Sequence, residues 1–173
     1  MKKVLIAMMM AAAAPAFAAA ADPIDQSNAS VNFYGKITPT TCGIDGDSQK
    51  VDVYLGEHSV SAVQNNRAPA TPFSLKLIEC ENDTKKAHVT VIAAQDKDNA
   101  EMFRLTGATG AALELIADWD DGVLKPGVEA KGFPLTMNSN ELKFFARLGT
   151  PKEDSKILPG DVSALTTFRI AYK

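Results

Sequence analysis

The chain has 173 residues, of which 46% are hydrophobic and 23% are charged, and its formal net charge at pH 7 is −3. A length of this order corresponds to one domain. The acidic balance and the lack of a basic cluster argue against a nucleic-acid partner, and they identify no other partner.

The first residues have the features of a secretion signal. Two lysines open the chain, an uncharged apolar run follows, and Ala16-Phe17-Ala18 matches the small-x-small cleavage pattern. The apolar run is shorter than the roughly 20 residues that a bilayer-spanning helix needs. We therefore predict a signal peptide over 1–18, with cleavage as late as residue 21 also allowed. Without the two signal lysines, 16 basic and 21 acidic residues remain, a net charge of −5.

Two cysteines, Cys42 and Cys80, are present in this exported chain. An even count in an oxidising compartment indicates a disulfide, and two cysteines allow one pairing. Closing a loop of about 39 residues would stabilise the fold by roughly 4 kcal/mol on the chain-entropy model. The spacing lacks the C-x-x-C pattern of zinc or redox sites, so we predict a structural disulfide.

Period-two alternation of apolar residues dominates the rest of the chain. It predicts strands over 31–37, 51–55, 73–77, 87–93, 113–117, 142–148 and, as one final run, 162–172. Asp120-Asp121-Gly122 is a hairpin-type turn between 113–117 and the short run at Val123. No window after the signal has a sustained helical period, so the pattern predicts an all-β sandwich with one apolar face per strand.

The two end runs of this pattern raise a problem of strand pairing. Residues 31–37 place Val31, Phe33, Gly35 and Ile37 on one face, and the final run ends with Phe168, Ile170 and Tyr172 on one face. An apolar strand at a sheet edge exposes backbone groups and favours association. If residues 31–37 paired with the final strand of the same chain, the monomer would have no open sheet edge there. If they paired with the final strand of a neighbour, a fibre would form, because head-to-tail contacts propagate.

Gly35 allows two interpretations. Glycine within a strand relieves twist or marks a bulge. Alternatively, it marks a position where the backbone must approach another surface closely, so that no side chain fits. The sequence leaves both open.

The residues with catalytic or ligating potential do not form a recognisable site. His58 and His88 are the only histidines, and a zinc or copper centre would need a third nitrogen ligand. No nucleophile motif is present. Three aspartates at 118, 120 and 121 fit a solvated turn better than calcium ligands, and Trp119 fits a core or edge aromatic better than a sugar-stacking platform. We predict no enzyme activity and no cofactor.

Several motifs follow one another along the chain in a specific order. They are the apolar-x-Phe-x-Gly-x-apolar run over 31–37, Cys42, V-x-V-x-L-G over 51–56, F-x-L-x-L-x-x-C over 73–80, Leu142-Lys-Phe144-Phe-Ala146, Pro159-Gly160, and Phe168-x-Ile170-x-Tyr172. With this set the chain resembles the chaperone–usher pilins, of the type 1 fimbrial subunit kind. That family has a glycine fourteen residues from the C-terminus and an aromatic residue second from the end, and Gly160 and Tyr172 occupy these positions.

The resemblance implies an incomplete immunoglobulin-like sandwich that lacks its last strand and is completed by a donor strand from another chain. It implies a donor-strand extension over 19–38 and a pilin domain over 39–173. The donor residues would be Val31, Phe33, Gly35 and Ile37. Gly160, Phe168, Ile170 and Tyr172 would belong to the strand that contacts the chaperone and flanks the acceptor groove.

The same resemblance implies partners and a location. The partners would be neighbouring pilus subunits, a periplasmic chaperone, an outer-membrane usher and, on the exposed face, a host receptor. The chain would pass through the periplasm to a fimbrium on the cell surface. Two alternatives stay open: a single-domain minor or tip adaptor subunit that binds a receptor, and a self-sufficient periplasmic sandwich protein.

Overall fold

A computed structural model describes residues 29–35, 37, 42–81, 85–107 and 110–173 of the chain. The chain divides into two units, Met1–Ile37 and Thr38–Lys173. In the first unit, residues 29–35 and 37 have no helix or strand, and their side chains are exposed. The predicted signal peptide lies outside the described residues. None of the described helices is long and apolar enough to cross a membrane.

The described residues of the second unit form strands and one short α-helix. In chain order the elements are β1 Gly43–Ile44, a 3-10 turn Gly46–Ser48, α1 Val60–Gln64, β2 Thr71–Cys80, β3 Lys86–Ile92, β4 Phe103–Arg104, β5 Thr106–Gly107, β6 Ala112–Ala117, β7 Gly122–Leu124, β8 Phe133–Pro134, β9 Asn138–Gly149, β10 Val162–Ser163 and β11 Thr167–Tyr172. The alternating segments at β2, β3, β6 and β9 and the hairpin between β6 and β7 confirm the corresponding predictions from sequence.

All strand pairs in this unit are antiparallel. Six strands form one sheet in the order β1-β2-β9-β6-β4, with β7 also paired to β6. A second sheet has the order β11-β3-β8, and β10 pairs with β5 alone. This is the all-β sandwich expected from the alternation.

The core lies between the inward faces of the two larger sheets. In β2 and β9 the register places Leu75 opposite Leu142 and Phe73 opposite Phe144, so these side chains share one face. In the second sheet Val89 lies opposite Ile170. Leu75, Leu142, Phe144 and Val89 are buried. Period-two alternation therefore directs apolar side chains inward from both sheets.

A β-bulge brings the second cysteine into the core. Leu77 pairs with Asn140 but Cys80 pairs with Asn138, so β2 has one extra residue here. Glu79 occupies the bulge with a φ of 53°. Without the bulge, Cys80 would face away from Leu77, because neighbouring side chains alternate between the two faces. With it, Cys80 forms the predicted disulfide with Cys42 across a Cα–Cα distance of 4.2 Å.

The prediction of one continuous strand over 162–172 is wrong. The segment forms β10, which pairs with β5, and β11, which pairs with β3. Gly107 in β5 has a φ of +94°, and a Cβ there would lie 2.0 Å from the carbonyl oxygen of Asp161. Glycine at 107 therefore allows this close backbone approach, which directs β10 away from β3.

The strand predicted over 51–55 is also absent. The backbone from Val51 to Ser59 has no assigned strand or helix, and Val51 and Tyr54 are 40% and 75% exposed. Alternation predicts an extended backbone, but a strand also needs a hydrogen-bonded neighbour. The chain then enters α1, where the Ser59 hydroxyl caps the helix by accepting from the Ala62 N–H at 3.2 Å.

Candidate functional site

One edge of the second sheet lacks a neighbour. β11 pairs with β3 along its whole length, and Lys173 and Lys86 exchange two backbone hydrogen bonds of 2.7 and 3.1 Å just beyond it. Among the described residues, no strand pairs with the other edge of β11. In an antiparallel pair, alternate residues direct both backbone groups to the partner. Lys173 directs both of its backbone groups to Lys86 of the neighbouring strand, so Ala171 and Arg169 do the same with β3. The backbone groups of Phe168, Ile170 and Tyr172 therefore point to the open edge.

The side chains of the same three residues form an apolar surface. Phe168, Ile170 and Tyr172 face the core but are only half-buried. Phe73 of β2 is also half-buried, and its ring centroid lies 5.8 Å from that of Phe168 in an edge-to-face arrangement. We call this surface, formed by Phe73, Phe168, Ile170 and Tyr172 beside the open edge, the β11 groove. It combines unpaired backbone groups with apolar area, the two features that an added strand would use.

The far side of the β11 groove is the edge strand of the other sheet. β1 is terminal in the six-stranded sheet, as β11 is in the three-stranded one. The Tyr172 hydroxyl donates to the carbonyl oxygen of Cys42, next to β1, at 3.3 Å. Burial raises the pKa of Tyr172 above its usual value of 10.0. Tyr172 therefore connects the two terminal edges, and the phenol stays neutral at physiological pH.

The disulfide and a buried hydrogen-bond network fix the position of Cys42. The disulfide joins it to Cys80, and the buried Asn140 side chain donates from Nδ2 to the Cys80 Sγ at 3.2 Å. The Asn140 Oδ1 in turn accepts from the Thr136 backbone N–H at 2.7 Å. These contacts link the rim of the β11 groove to the central strand β9.

The outer face of the second sheet has a charged cluster. The Glu129 carboxylate accepts from Lys173 Nζ at 2.6 Å and lies 3.0 Å from His88 Nδ1. The hydrogen bond from Lys173 lowers the pKa of Glu129 below its usual value of 4.5. The cluster ties the end of β11 to the loop before β8. It lies on the opposite face from the β11 groove.

The structure brings together only part of the predicted site. Phe168, Ile170 and Tyr172 share one face, as the alternation predicts. Gly160 does not lie in their strand: it is exposed, in a bend before β10. The Pro159-Gly160 turn and the pairing of β10 with β5 separate it from β11. The contact of Tyr172 with the Cys42 carbonyl could not be predicted from the sequence, since every residue has a backbone carbonyl.

The predicted donor residues lie in the other unit. Val31, Phe33 and Ile37 are 70%, 89% and 101% exposed. A Cβ added at Gly35 would have no atom within 4 Å. The donor role of these residues stays a prediction.

Other residues considered in the sequence have structural roles. The Trp119 ring lies edge-on to Phe133 and Phe144 at 5.5 and 5.3 Å, as a core aromatic does. The Asp120 carboxylate accepts from the Gly122 N–H in the predicted turn. Within the described ranges, no group of three or more His, Cys, Asp or Glu residues could hold a metal ion.

Comparisons with known proteins assign the family. The family model described as "Fimbrial protein" matches residues 31–173. The chain belongs to this family. Fimbria A protein of Serratia marcescens is 27% identical to it over 175 residues, covering 100% of this chain and 99% of that protein.

Two solved structures of pilus subunits share the fold of this fimbrial protein. A subunit of a chaperone–usher pilus studied for rod uncoiling superposes with a TM-score of 0.70 at 18% identity, covering 88% of this chain and 100% of that one. The P pilus rod subunit PapA gives 0.69 at 16% identity, covering 78% and 100%. The chain is thus a fimbrial protein that shares the incomplete immunoglobulin-like fold of these pilus subunits. It is a structural protein of a cell-surface fimbrium, not an enzyme.

Proposed function

We propose that this subunit polymerises by donor-strand exchange: residues 31–37 of one copy add to the open edge of β11 in the next. The observation that carries the proposal is the β11 groove. Among the described residues, Phe168, Ile170 and Tyr172 each present an unpaired backbone edge and an apolar side chain that is only partly buried. An extended segment bound there would satisfy both at once.

The donor segment has the complementary pattern. Val31, Phe33 and Ile37 alternate with polar or aromatic residues, so an extended backbone presents them on one face. Seven residues span roughly 23 Å at a rise of about 3.3 Å per residue, and β11 has six residues. The segment is therefore long enough to cover the whole open edge.

In this proposal Gly35 is the point of closest approach between donor and groove. Its φ is not positive, so backbone strain does not require glycine here. We infer that the donor backbone approaches the β11 groove closely at this position, so that a side chain would not fit.

A chaperone and an usher would act before the polymer forms. A free β11 edge in the periplasm is an aggregation hazard, so a chaperone strand would cover it during transit. The outer-membrane usher would then allow the next subunit's residues 31–37 to replace the chaperone strand. The completed polymer buries the groove fully, which makes each subunit a donor on one side and an acceptor on the other.

Replacing Gly35 with leucine tests the proposal. The added side chain would block the close approach of the donor while the β11 edge stays free for the chaperone. We expect loss of surface fimbriae, seen by electron microscopy, with a normal yield of the periplasmic chaperone–subunit complex. Tyr34→Leu, at the neighbouring position that faces the other way, is the matched control and should keep its fimbriae. Unchanged fimbriae in Gly35→Leu would contradict the proposal.

A further inference from the structure

We propose that the outer face of the three-stranded sheet binds a sulfated polysaccharide. This is the face of β3 and β11 that points away from the core, on the opposite side of the sheet from the β11 groove. Lys86, Arg169 and Lys173 lie on it, and we call it the basic face. It belongs to one subunit, so this inference goes beyond the proposed strand exchange and does not depend on it.

Alternation and strand register bring the three cations together. Lys86 and Arg169 are exposed, at positions that alternate with the core-facing residues of β3 and β11. Lys173 lies directly opposite Lys86, because these two residues exchange two backbone hydrogen bonds. β3 and β11 are far apart in the sequence, so the basic face exists only in the folded chain.

In the six-stranded sheet, every lysine and arginine of β2 and β9 has a carboxylate partner. The nitrogen–oxygen distances are 4.0 Å for Lys76–Asp45, 3.8 Å for Lys143–Glu141 and 2.9 Å for Arg147–Glu114. The cations of these two strands are therefore compensated within the chain.

The basic face lacks this compensation. Glu129 accepts from Lys173 Nζ at 2.6 Å and lies 3.0 Å from His88 Nδ1. Among the described residues, no carboxylate lies within salt-bridge distance of Lys86 or Arg169. Like charges directly opposite on neighbouring strands destabilise a sheet, and Lys86 and Lys173 have this arrangement. The stability of the subunit therefore does not explain the basic face, whereas an anionic partner does.

The spacing of the cations indicates an extended partner. Arg169 is four residues from Lys173, which corresponds to roughly 13 Å along β11 at about 3.3 Å per residue. A single small anion cannot contact both. Between them Ala171 is small, and Thr90, opposite Arg169, adds a hydroxyl group. A linear polymer with repeated anionic groups and hydroxyls therefore matches this face.

Sulfate groups fit the end of the basic face where two cations are close together. Residues that exchange two backbone hydrogen bonds have Cα atoms about 5.5 Å apart, so one anion can contact both Lys86 and Lys173. A sulfate ester is ionised at physiological pH and has three terminal oxygens, which can accept from both ammonium groups at once. A nucleic acid fits less well, because the described residues of this face include no Phe, Tyr or Trp side chain on which bases could stack.

A fimbrium would strengthen this binding by repeating the basic face. A donor strand at the edge of β11 would, by alternation, direct Asn32, Tyr34 and Lys36 to the outer side, and none of these has a carboxylate. The basic face would therefore stay positively charged and accessible in the polymer. One long polysaccharide would contact several subunits, and its affinity would rise through multivalency.

Binding of purified fimbriae to immobilised heparin, a sulfated polysaccharide, tests the inference by biolayer interferometry at physiological ionic strength. We expect the wild type to bind. The double variant Lys86→Gln/Arg169→Gln should bind about 3- to 30-fold more weakly, the range for two exposed charge contacts. The matched control Lys76→Gln/Lys143→Gln removes two cations that have carboxylate partners, and it should change the affinity by less than about 2-fold.

Glu129→Gln should change the affinity in the opposite direction. It removes a carboxylate of the basic face and frees Lys173, so heparin should bind more tightly. On wild-type fimbriae, heparin should also protect Arg169 from hydroxyphenylglyoxal, while Arg67, an exposed arginine outside this sheet, stays reactive. This protection needs no substitution, so it tests the inference even where a variant fails to assemble.

Several results would overturn the inference. They include wild-type fimbriae that do not bind heparin, equal affinities of the two double variants, and no protection of Arg169. Equally tight binding of duplex DNA would show that the face selects charge alone and not a sulfated polysaccharide. Fimbriae that bundle without heparin, and separate in the Lys86→Gln/Arg169→Gln variant, would assign the face to another copy of the chain. All samples are fimbriae purified from cells, so none of these results depends on how the subunits polymerise.

Discussion

β9 and β11 have the same alternating pattern but very different burial. In β9, Leu142 and Phe144 are 0% exposed, whereas Phe168 and Ile170 of β11 are half-buried. β9 lies between β2 and β6, but β11 has β3 alone among the described strands. The comparison shows that alternation determines which face a side chain takes. How completely that face is covered depends on the second neighbour.

The largest effect should come from a charge on the apolar face of β11. Ile170→Glu would place a carboxylate in the β11 groove, where an added strand would have to desolvate it. We expect no fibres from this variant. Arg169→Glu introduces the same side chain one residue away, on the outer face, and should still assemble. Fibre yield by sedimentation compares the two, and equal yields would show that the apolar face of β11 is not used.

A smaller effect should distinguish β9 from β11 by how much one phenylalanine in each strand stabilises the chain. Phe144→Ala removes a fully buried ring, so we expect a loss of about 3–5 kcal/mol in the unfolding free energy of the chain. Phe168→Ala removes a ring that is only partly buried, so it should lower the unfolding free energy of the free chain clearly less. In the fibre, where the proposed donor covers Phe168, its cost should approach that of Phe144→Ala. Denaturant unfolding of chain and fibre measures both, and an equal cost of Phe168→Ala in the two states would contradict the account.

The smallest effect concerns the outer face of β11. Lys173 lowers the pKa of Glu129 in the folded state, so the ionised carboxylate stabilises the fold. This stabilisation is fully present above the unfolded pKa of about 4.5 and is lost as the pH falls through the folded pKa. Glu129→Gln should therefore flatten the dependence of Tm on pH below about 4.5. Lys173→Met removes the largest of the contacts that lower the Glu129 pKa but leaves His88 beside the carboxylate, so it should flatten the profile less than Glu129→Gln does. A Glu129→Gln profile that follows the wild type would rule out this contribution.

The sequence predicts the strands that bury one continuous apolar face. β2, β3, β6 and β9 follow from alternation, and the disulfide follows from the cysteine count and the export signal. The bulge at Glu79 could not be predicted, because it depends on where Cys42 lies in space. The split of the final run depends on β5, a distant segment that approaches closely only because residue 107 is glycine.

The site was predictable to a similar degree. Alternation places Phe168, Ile170 and Tyr172 together, and the structure agrees. Gly160 was assigned to the same strand by its distance from the C-terminus, but the turn and the β10–β5 pair place it elsewhere. The link from Tyr172 to Cys42 involves a backbone carbonyl, for which a sequence has no signature. The donor role of Val31, Phe33, Gly35 and Ile37 stays a prediction.

Residue-resolved amide hydrogen exchange in free chain and fibre tests the central claim most directly. The N–H groups of Arg169 and Ala171 face β3, whereas those of Phe168, Ile170 and Tyr172 face the open edge. We predict that the first group is protected in both states. The second group should exchange fast in the free chain and become protected in the fibre. If the amides of Phe168, Ile170 and Tyr172 exchange equally fast in the fibre, no strand adds to β11, and the account is wrong.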